Sequence, residues 1–192
     1  MPVMPRDAEA TRARLLDAAI NEFAEFGIAG ARVDRIATKA NANKAQIYHY
    51  FGSKDQLFDA AFAEIVSRVL ASTPIDVNDL PGYAVRLADL YEQHPEILRM
   101  ATWQRLERPA DKPHPRAEAS IRDKITAIRA AQQDGTLPDH YPAEALLALV
   151  LNTAATWAAA GPELLLALPP STLSPPTRDQ HIADAVQRLL TT

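Results

Sequence analysis

Apolar positions along this chain recur every three or four residues, and no stretch shows the strict alternation of a half-buried strand. Between residues 7 and 26, Leu15, Leu16, Ala19, Ile20, Phe23 and Phe26 form one stripe, the mark of an amphipathic helix. Gly27 follows and suits a left-handed helix cap. A short second helix is predicted over 33–40, with Val33, Ile36, Ala37 and Ala40 inward. A third is predicted over 44–51, anchored by Ile47 and Phe51, four apart. Asn41-Ala42-Asn43 lies between them. Asparagine tolerates left-handed backbone angles and caps helix N-termini. Gly52 breaks the third helix, and Ser53-Lys54-Asp55-Gln56 has the capping-box form that opens a fourth, to about residue 71.

Proline sets the rest of the pattern. None of the 15 prolines falls within residues 6–73, and later ones mark helix junctions, since proline breaks a helix interior but suits its first turn. A fifth helix is predicted over 80–94, carrying Tyr83, Leu87, Leu90 and Tyr91. A sixth begins at Pro95 and carries Ile97, Leu98, Met100, Ala101, Trp103 and Leu106. The seventh, 116–134, places Ile121, Ile125, Ile128 and Ala131 inward. The eighth, 143–160, is apolar nearly all round, and a last helix over 178–190 carries Ile182, Val186 and Leu189. The fold class is all-α. A helix apolar on every face must be buried on every face. A membrane span is a poorer account of the eighth helix, which is slightly short, contains Asn152 and closes at Gly161-Pro162. A dimer interface explains it better, with Leu147, Val150, Leu151 and Ala154 joined by Ile182, Val186 and Leu189 of the last helix.

Composition adds exclusions. The 192-residue chain carries no cysteine, so disulfides and thiolate metal sites are ruled out, and a cytoplasmic location is expected. Residues 1–10 lack the apolar core of a signal peptide. His94, His114, His140 and His181 are scattered without ligand spacing, so no metal or other cofactor is expected. There is no GxSxG elbow, P-loop or GxGxxG, and an enzyme is not expected. The net charge of −4 argues at first against nucleic acid. Yet eight of the 20 basic and seven of the 24 acidic residues lie in 1–58, leaving that part slightly positive.

Two short helices joined by a three-residue turn and braced by longer helices form a helix-turn-helix, whose second helix enters the major groove of double-stranded DNA. Lys44, Ala45 and Gln46 open that helix, and Tyr48 and His49 follow. Gln46 can donate and accept at an adenine edge; it can equally close a capping box with Asn43. Tyr48 and His49 suit phosphates, beside core packing for the first and a solvated surface for the second. Lys54 at the start of the fourth helix adds charge where backbone amides already favour an anion. Arg12 and Arg14 read as a solvated face or as an N-terminal arm on DNA.

The stretch from Thr11 to Phe62 resembles the DNA-binding domain of the tetracycline-repressor-like (TetR) transcriptional regulators. The resemblance rests on Ala18-Ala19, Phe23, Gly27, Val33, Ile36-Ala37, Ala40, Ile47-Tyr48-His49-Tyr50-Phe51, Lys54 and Leu57. It implies a three-helix DNA-binding domain (1–58), joined by the fourth helix to a helical ligand-binding and dimerisation domain (59–192). It further implies a homodimeric repressor on a pseudo-palindromic operator, released by a small-molecule effector. Tyr83, Tyr91, Met100, Trp103, Arg129 and Trp157 are the candidates to line its pocket, beside a plain core role for each. Few charges recur on the inward stripes, which favours an apolar or aromatic compound. Control by a protein partner without a pocket is the alternative. Three positions depart from the family pattern. Arg32 stands where a capping Thr or Ser is usual, and, having no acceptor, it trades capping for phosphate contact. Asn41 replaces a turn glycine, and Ala45-Gln46 replaces a common Gly-Thr pair.

Overall fold

The computed structural model describes residues 5–109 and 113–191, with side chains from Asp7. Ten α-helices run through them: α1 (Pro5–Gly30), α2 (Val33–Lys39), α3 (Lys44–Phe51), α4 (Lys54–Ser72), α5 (Leu80–Gln93), α6 (Glu96–Glu107), α7 (Pro115–Gln133), α8 (Ala143–Ala155), α9 (Pro162–Ala167) and α10 (Pro175–Leu189). None is long and apolar enough to cross a membrane. By packing, the chain divides into two units, residues 1–68 with 96–117 and residues 69–95 with 118–192. The expected division after residue 58 falls inside α4, whose residues up to Arg68 pack with the first unit, as does α6.

The first unit is built on the α1 stripe. Leu15, Ala19 and Phe23 meet Ile36 of α2, Ile47 of α3 and Leu57, Phe58 and Ala61 of α4, all fully buried. The Phe23 and Phe58 rings stand edge to face at 5.2 Å. Each such Leu, Ile or Phe contributes about 1.5–3 kcal/mol by leaving water.

At Gly27 (φ 71°, ψ −177°) α1 breaks and restarts for one more turn. The break exposes carbonyls on one side and amides on the other, and α6 satisfies both. Arg99 Nε (2.7 Å) and Trp103 Nε1 (3.2 Å) donate to the Ala24 carbonyl. The Glu107 carboxylate accepts from the Ile28 (3.2 Å) and Ala29 (2.8 Å) amides. A cation at a helix C-terminus and a carboxylate at an N-terminus each oppose the local end of the helix dipole. Phe26, expected inside, is 37% exposed, with the Arg35 guanidinium 4.1 Å from its ring centre.

Glu22 is a second fixed point. Its side chain is 0% exposed. Oε1 accepts from the Arg32 amide (2.9 Å) and from Arg35 Nε (2.6 Å), and Lys39 Nζ lies 3.7 Å from Oε2. One carboxylate thus ties the start, middle and end of α2 to α1.

The second unit packs α5, α7, α8 and α10 around Tyr83, Leu87, Ile128, Leu147, Val150, Ile182 and Val186. At its edge the buried guanidinium of Arg178 on α10 pairs with Asp89 and Glu92 of α5 and with Asp179. Burial, then the neighbouring Asp179 charge, pushes the Asp89 carboxyl up, against the pull of Arg178. Two expectations need correction here. The inward face of α7 is Ser120, Lys124, Ile128 and Ala131, while Ile121 is 40% exposed. Ile125 is half-buried against the core and Ile128 and Ala131 are inside as expected, so the departure is confined to the first turns, where Ser120 and Lys124 take the buried line in place of Ile121. The eighth helix ends at Ala155 rather than 160, and the short α9 follows.

Gly27→Ala is expected to cost roughly 1–3 kcal/mol, because the new Cβ would collide with Glu107 Oε1 and come within 2.9 Å of Trp103 at a positive φ. Urea titration of the full chain measures it, and a loss below experimental error would refute the role given to the break. Glu22→Ala is expected to cost about 2 kcal/mol, the scale for stripping an acceptor from a buried donor. Glu22→Gln, which keeps an acceptor, should cost less; equal losses would mean that charge alone matters there.

Candidate nucleic-acid interface

An eight-residue helix leaves few turns to bury and few to present, and α3 divides them cleanly. Ile47 is fully buried and Phe51 nearly so. Lys44, Ala45, Tyr48 and His49 share the opposite, exposed face, with Tyr48 45% accessible. Gln46 and Tyr50 flank it, half-buried.

The turn before α3 is fixed locally. Asn41 takes φ 49°, the left-handed angle expected of a residue in place of glycine, and one asparagine accommodates better than most side chains. Asn43 Oδ1 accepts from the Gln46 amide, and Gln46 Oε1 accepts from the Asn43 amide, both at 2.9 Å. The capping box weighed against base reading for Gln46 is therefore formed. It occupies the side-chain oxygen; the Nε2 group has no protein hydrogen bond among the described residues. Arg14 Nε donates to the Ala40 carbonyl at the end of α2 (3.2 Å), and Arg12 lies 5.4 Å from the Phe51 ring centre. Both arginines brace the motif from α1.

Its cations are partly engaged. Lys44 Nζ lies 3.1 Å from Asp34 Oδ1, and the Asp34 carboxylate, by hydrogen bond and charge, holds the Lys44 ammonium above the usual lysine range. Lys54 Nζ donates to the carbonyls of Ala29 (3.3 Å) and Ala31 (3.4 Å), which among the described residues leaves one of its three N–H groups open. Arg32 is exposed at the N-cap of α2 without a side-chain cap, as its lack of an acceptor requires.

The six pocket candidates divide between the two units. Met100 is fully buried in the first unit's core, and Trp103 is held there by the Ala24 carbonyl. Tyr83, Tyr91 and Trp157 belong to the second unit's core. Arg129 lies on the exposed side of α7, paired with Glu144. A half-open groove of about 430 Å³ in the second unit is lined instead by Asn78, Asp79, Thr136, Leu137, Gln187 and Leu190 among others. Of the residues expected at a dimer interface, Leu147, Val150, Ala154, Ile182 and Val186 are at most 2% exposed within their own chain. Leu151 and Leu189 are half-buried. The exposed strip of α8 is Glu144, Ala148, Leu149 and Asn152.

Comparison with known proteins agrees with this geometry. Residues 15–61 match the model of the tetR family of bacterial regulatory proteins, and residues 79–188 match that of the tetracyclin repressor-like C-terminal domain. The HTH-type transcriptional repressor SCO4008 of Streptomyces coelicolor is 43% identical over 162 residues, 83% of each chain. The crystal structure of SCO4942 from the same organism superposes with a TM-score of 0.83 at 37% identity, covering 93% of this chain and 97% of that one. A TetR-family structure from Rhodococcus sp. shares the fold alone, at 21% identity and a TM-score of 0.67 over 95% of this chain and all of that one. The chain belongs to the TetR family of DNA-binding helix-turn-helix transcriptional regulators.

Proposed function

We propose that this regulator is a repressor that leaves its operator when a small molecule binds the helical part of the chain. The observation that carries the DNA half is the exposed face of α3. Lys44, Ala45, Tyr48 and His49 stand clear while Ile47 and Phe51 hold the helix to the core, which is what docking a helix in the major groove needs. In this reading residues 1–58 contact DNA and 59–192 bind the effector and the partner subunit. Gln46 reads a base edge through its open Nε2 group. Tyr48, His49, Arg32 and the third N–H of Lys54 meet phosphates. Lys44 exchanges Asp34 for the DNA backbone. The name of SCO4008, a transcriptional repressor, supports repression over activation.

A two-fold dimer would present two such heads to a pseudo-palindromic operator. The core residues of α8 and α10 are already used within one chain. The partner is therefore expected on the exposed strip around Ala148, Leu149 and Asn152, with half-buried Leu151 and Leu189 at its border.

Selection of bound DNA from a random pool gives the operator and its half-site spacing together. On that operator, Gln46→Ala is expected to relax preference at one base pair by roughly 1–3 kcal/mol. Lys54→Ala should weaken every sequence about equally and flatten the salt slope by about one unit per head. Titration across salt with operator and scrambled duplexes checks both. If each variant matched wild type on both DNAs, α3 would not be the reading helix.

A further inference from the structure

The two helices of the motif, with the turns beside them, carry a single acid. Within residues 31–54, Asp34 stands among five cations, Arg32, Arg35, Lys39, Lys44 and Lys54. Arg35 and Lys39 face the buried Glu22 of α1, and Lys54 donates to two carbonyls. Asp34 takes Lys44. It is the second residue of α2, Lys44 is the first of α3, and Lys44 Nζ lies 3.1 Å from Oδ1 and 3.4 Å from Oδ2. Both side chains stand in water, 75% exposed for Asp34 and 50% for Lys44. An ion pair so exposed adds little to folding. On a face that approaches phosphates, a carboxylate also opposes binding by its charge. Neither folding nor general attraction to DNA accounts for Asp34.

The chemistry of the carboxylate does. An ionised carboxylate only accepts hydrogen bonds. Phosphate oxygens are acceptors as well, and so are guanine O6 and N7, thymine O4 and adenine N7. The donors that duplex DNA offers in its major groove are the amino groups of cytosine and adenine. When Lys44 leaves Asp34 for the DNA backbone, the carboxylate loses its partner beside the first turn of α3. A base edge without an amino group at that point leaves it facing acceptors alone. Adenine sets the acceptor N7 next to its amino group, whereas cytosine shows the amino group by itself. Cytosine is therefore the better match.

We infer that Asp34 is a specificity-determining residue: it accepts from a cytosine amino group in the operator and disfavours DNA that lacks one at that position. The inference rests on α3 being the reading helix and adds to it a base-reading group from α2.

The test selects DNA from a random pool with full-length wild type, Asp34→Ala and Asp34→Asn, and measures affinity for the wild-type operator and a scrambled duplex across salt. Wild type should select cytosine at one position of each half-site. Asp34→Ala should accept any base there, and its preference for operator over scrambled DNA should fall about tenfold. Part of that fall should be tighter binding to the scrambled duplex, with a salt slope steeper by about one unit per head, as Lys44 becomes free for a phosphate. Asp34→Asn can donate to N7 while accepting from N6, so its preference should move to adenine. Both variants should melt like wild type.

An unchanged cytosine preference in Asp34→Ala would overturn the inference. Equal losses on both duplexes, with a lower melting temperature, would also overturn it and make Asp34 a helix-stabilising group. Lys44→Ala and Gln46→Ala separate this inference from the reading beneath it. If they alter base preference while Asp34→Ala does not, α3 reads DNA without Asp34. If none of the three alters it, α3 is not the reading helix and both readings fail.

Discussion

An eight-residue helix cannot hold itself in water, because the cost of nucleating its first turn is never recovered over so short a length. Everything in the first unit follows from that constraint on α3. Ile47 and Phe51 give it a buried edge, the Asn43–Gln46 box closes its first turn, and Arg14 satisfies the carbonyl at which α2 ends. The position of α2 is in turn set by Glu22, which reaches three points along it from α1. Losing Ile47, Phe51, Asn43, Arg14 or Glu22 would move the exposed face of α3 without touching a residue proposed to meet DNA.

The same reasoning explains why α6 packs with the first unit. The break at Gly27 leaves unsatisfied carbonyls and amides within one turn of each other, and one helix supplies both kinds of partner. Arg99 and Trp103 take the carbonyls, and Glu107, eight residues beyond Arg99, takes the amides. Polar groups at a helix break must be satisfied somewhere, so the break recruits α6. A functional division of the chain by sequence position therefore differs from its division by packing. Residues 96–107 come after the expected DNA-binding domain and are folded against it.

Much of the reading head was legible because its signals are local. The limits of α3, the left-handed Asn41, the cap role of Asn43 and the break at Gly27 depend on neighbours within a few residues. The family resemblance rested on the same stretch. What could not be read depends on partners distant in sequence. Periodicity placed Ile121 and Ile125 inward on α7, because an isoleucine stripe scores better than one containing Ser120 and Lys124. The fold keeps Ile128 and Ala131 inside and Ile125 half-buried, and leaves Ile121 exposed while Ser120 and Lys124 are covered. Periodicity also marks Leu147, Val150, Ile182 and Val186 as buried without saying against what, and each is covered by its own chain. Nothing in the spacing of Met100 and Trp103 announces the Gly27 break, whose Ala24 carbonyl Trp103 meets.

Gln46 shows how closely reading and folding are joined in so small a helix. Its oxygen holds the N-terminus of α3, and its amide nitrogen has no protein hydrogen bond among the described residues. A change at this position alters the proposed base contact and also the stability of the helix, by about 0.5–2 kcal/mol if the cap is lost. Ala45, Tyr48 and His49 stand on the exposed face, and none of them closes a turn of the helix. Sequence preference can therefore shift at those three positions at little cost to the fold, whereas a shift at Gln46 must supply a new cap as well. The departure from the family's common Gly-Thr pair at Ala45-Gln46 is then two different changes: the first alters only the surface shown to DNA, and the second also rebuilds the start of the helix.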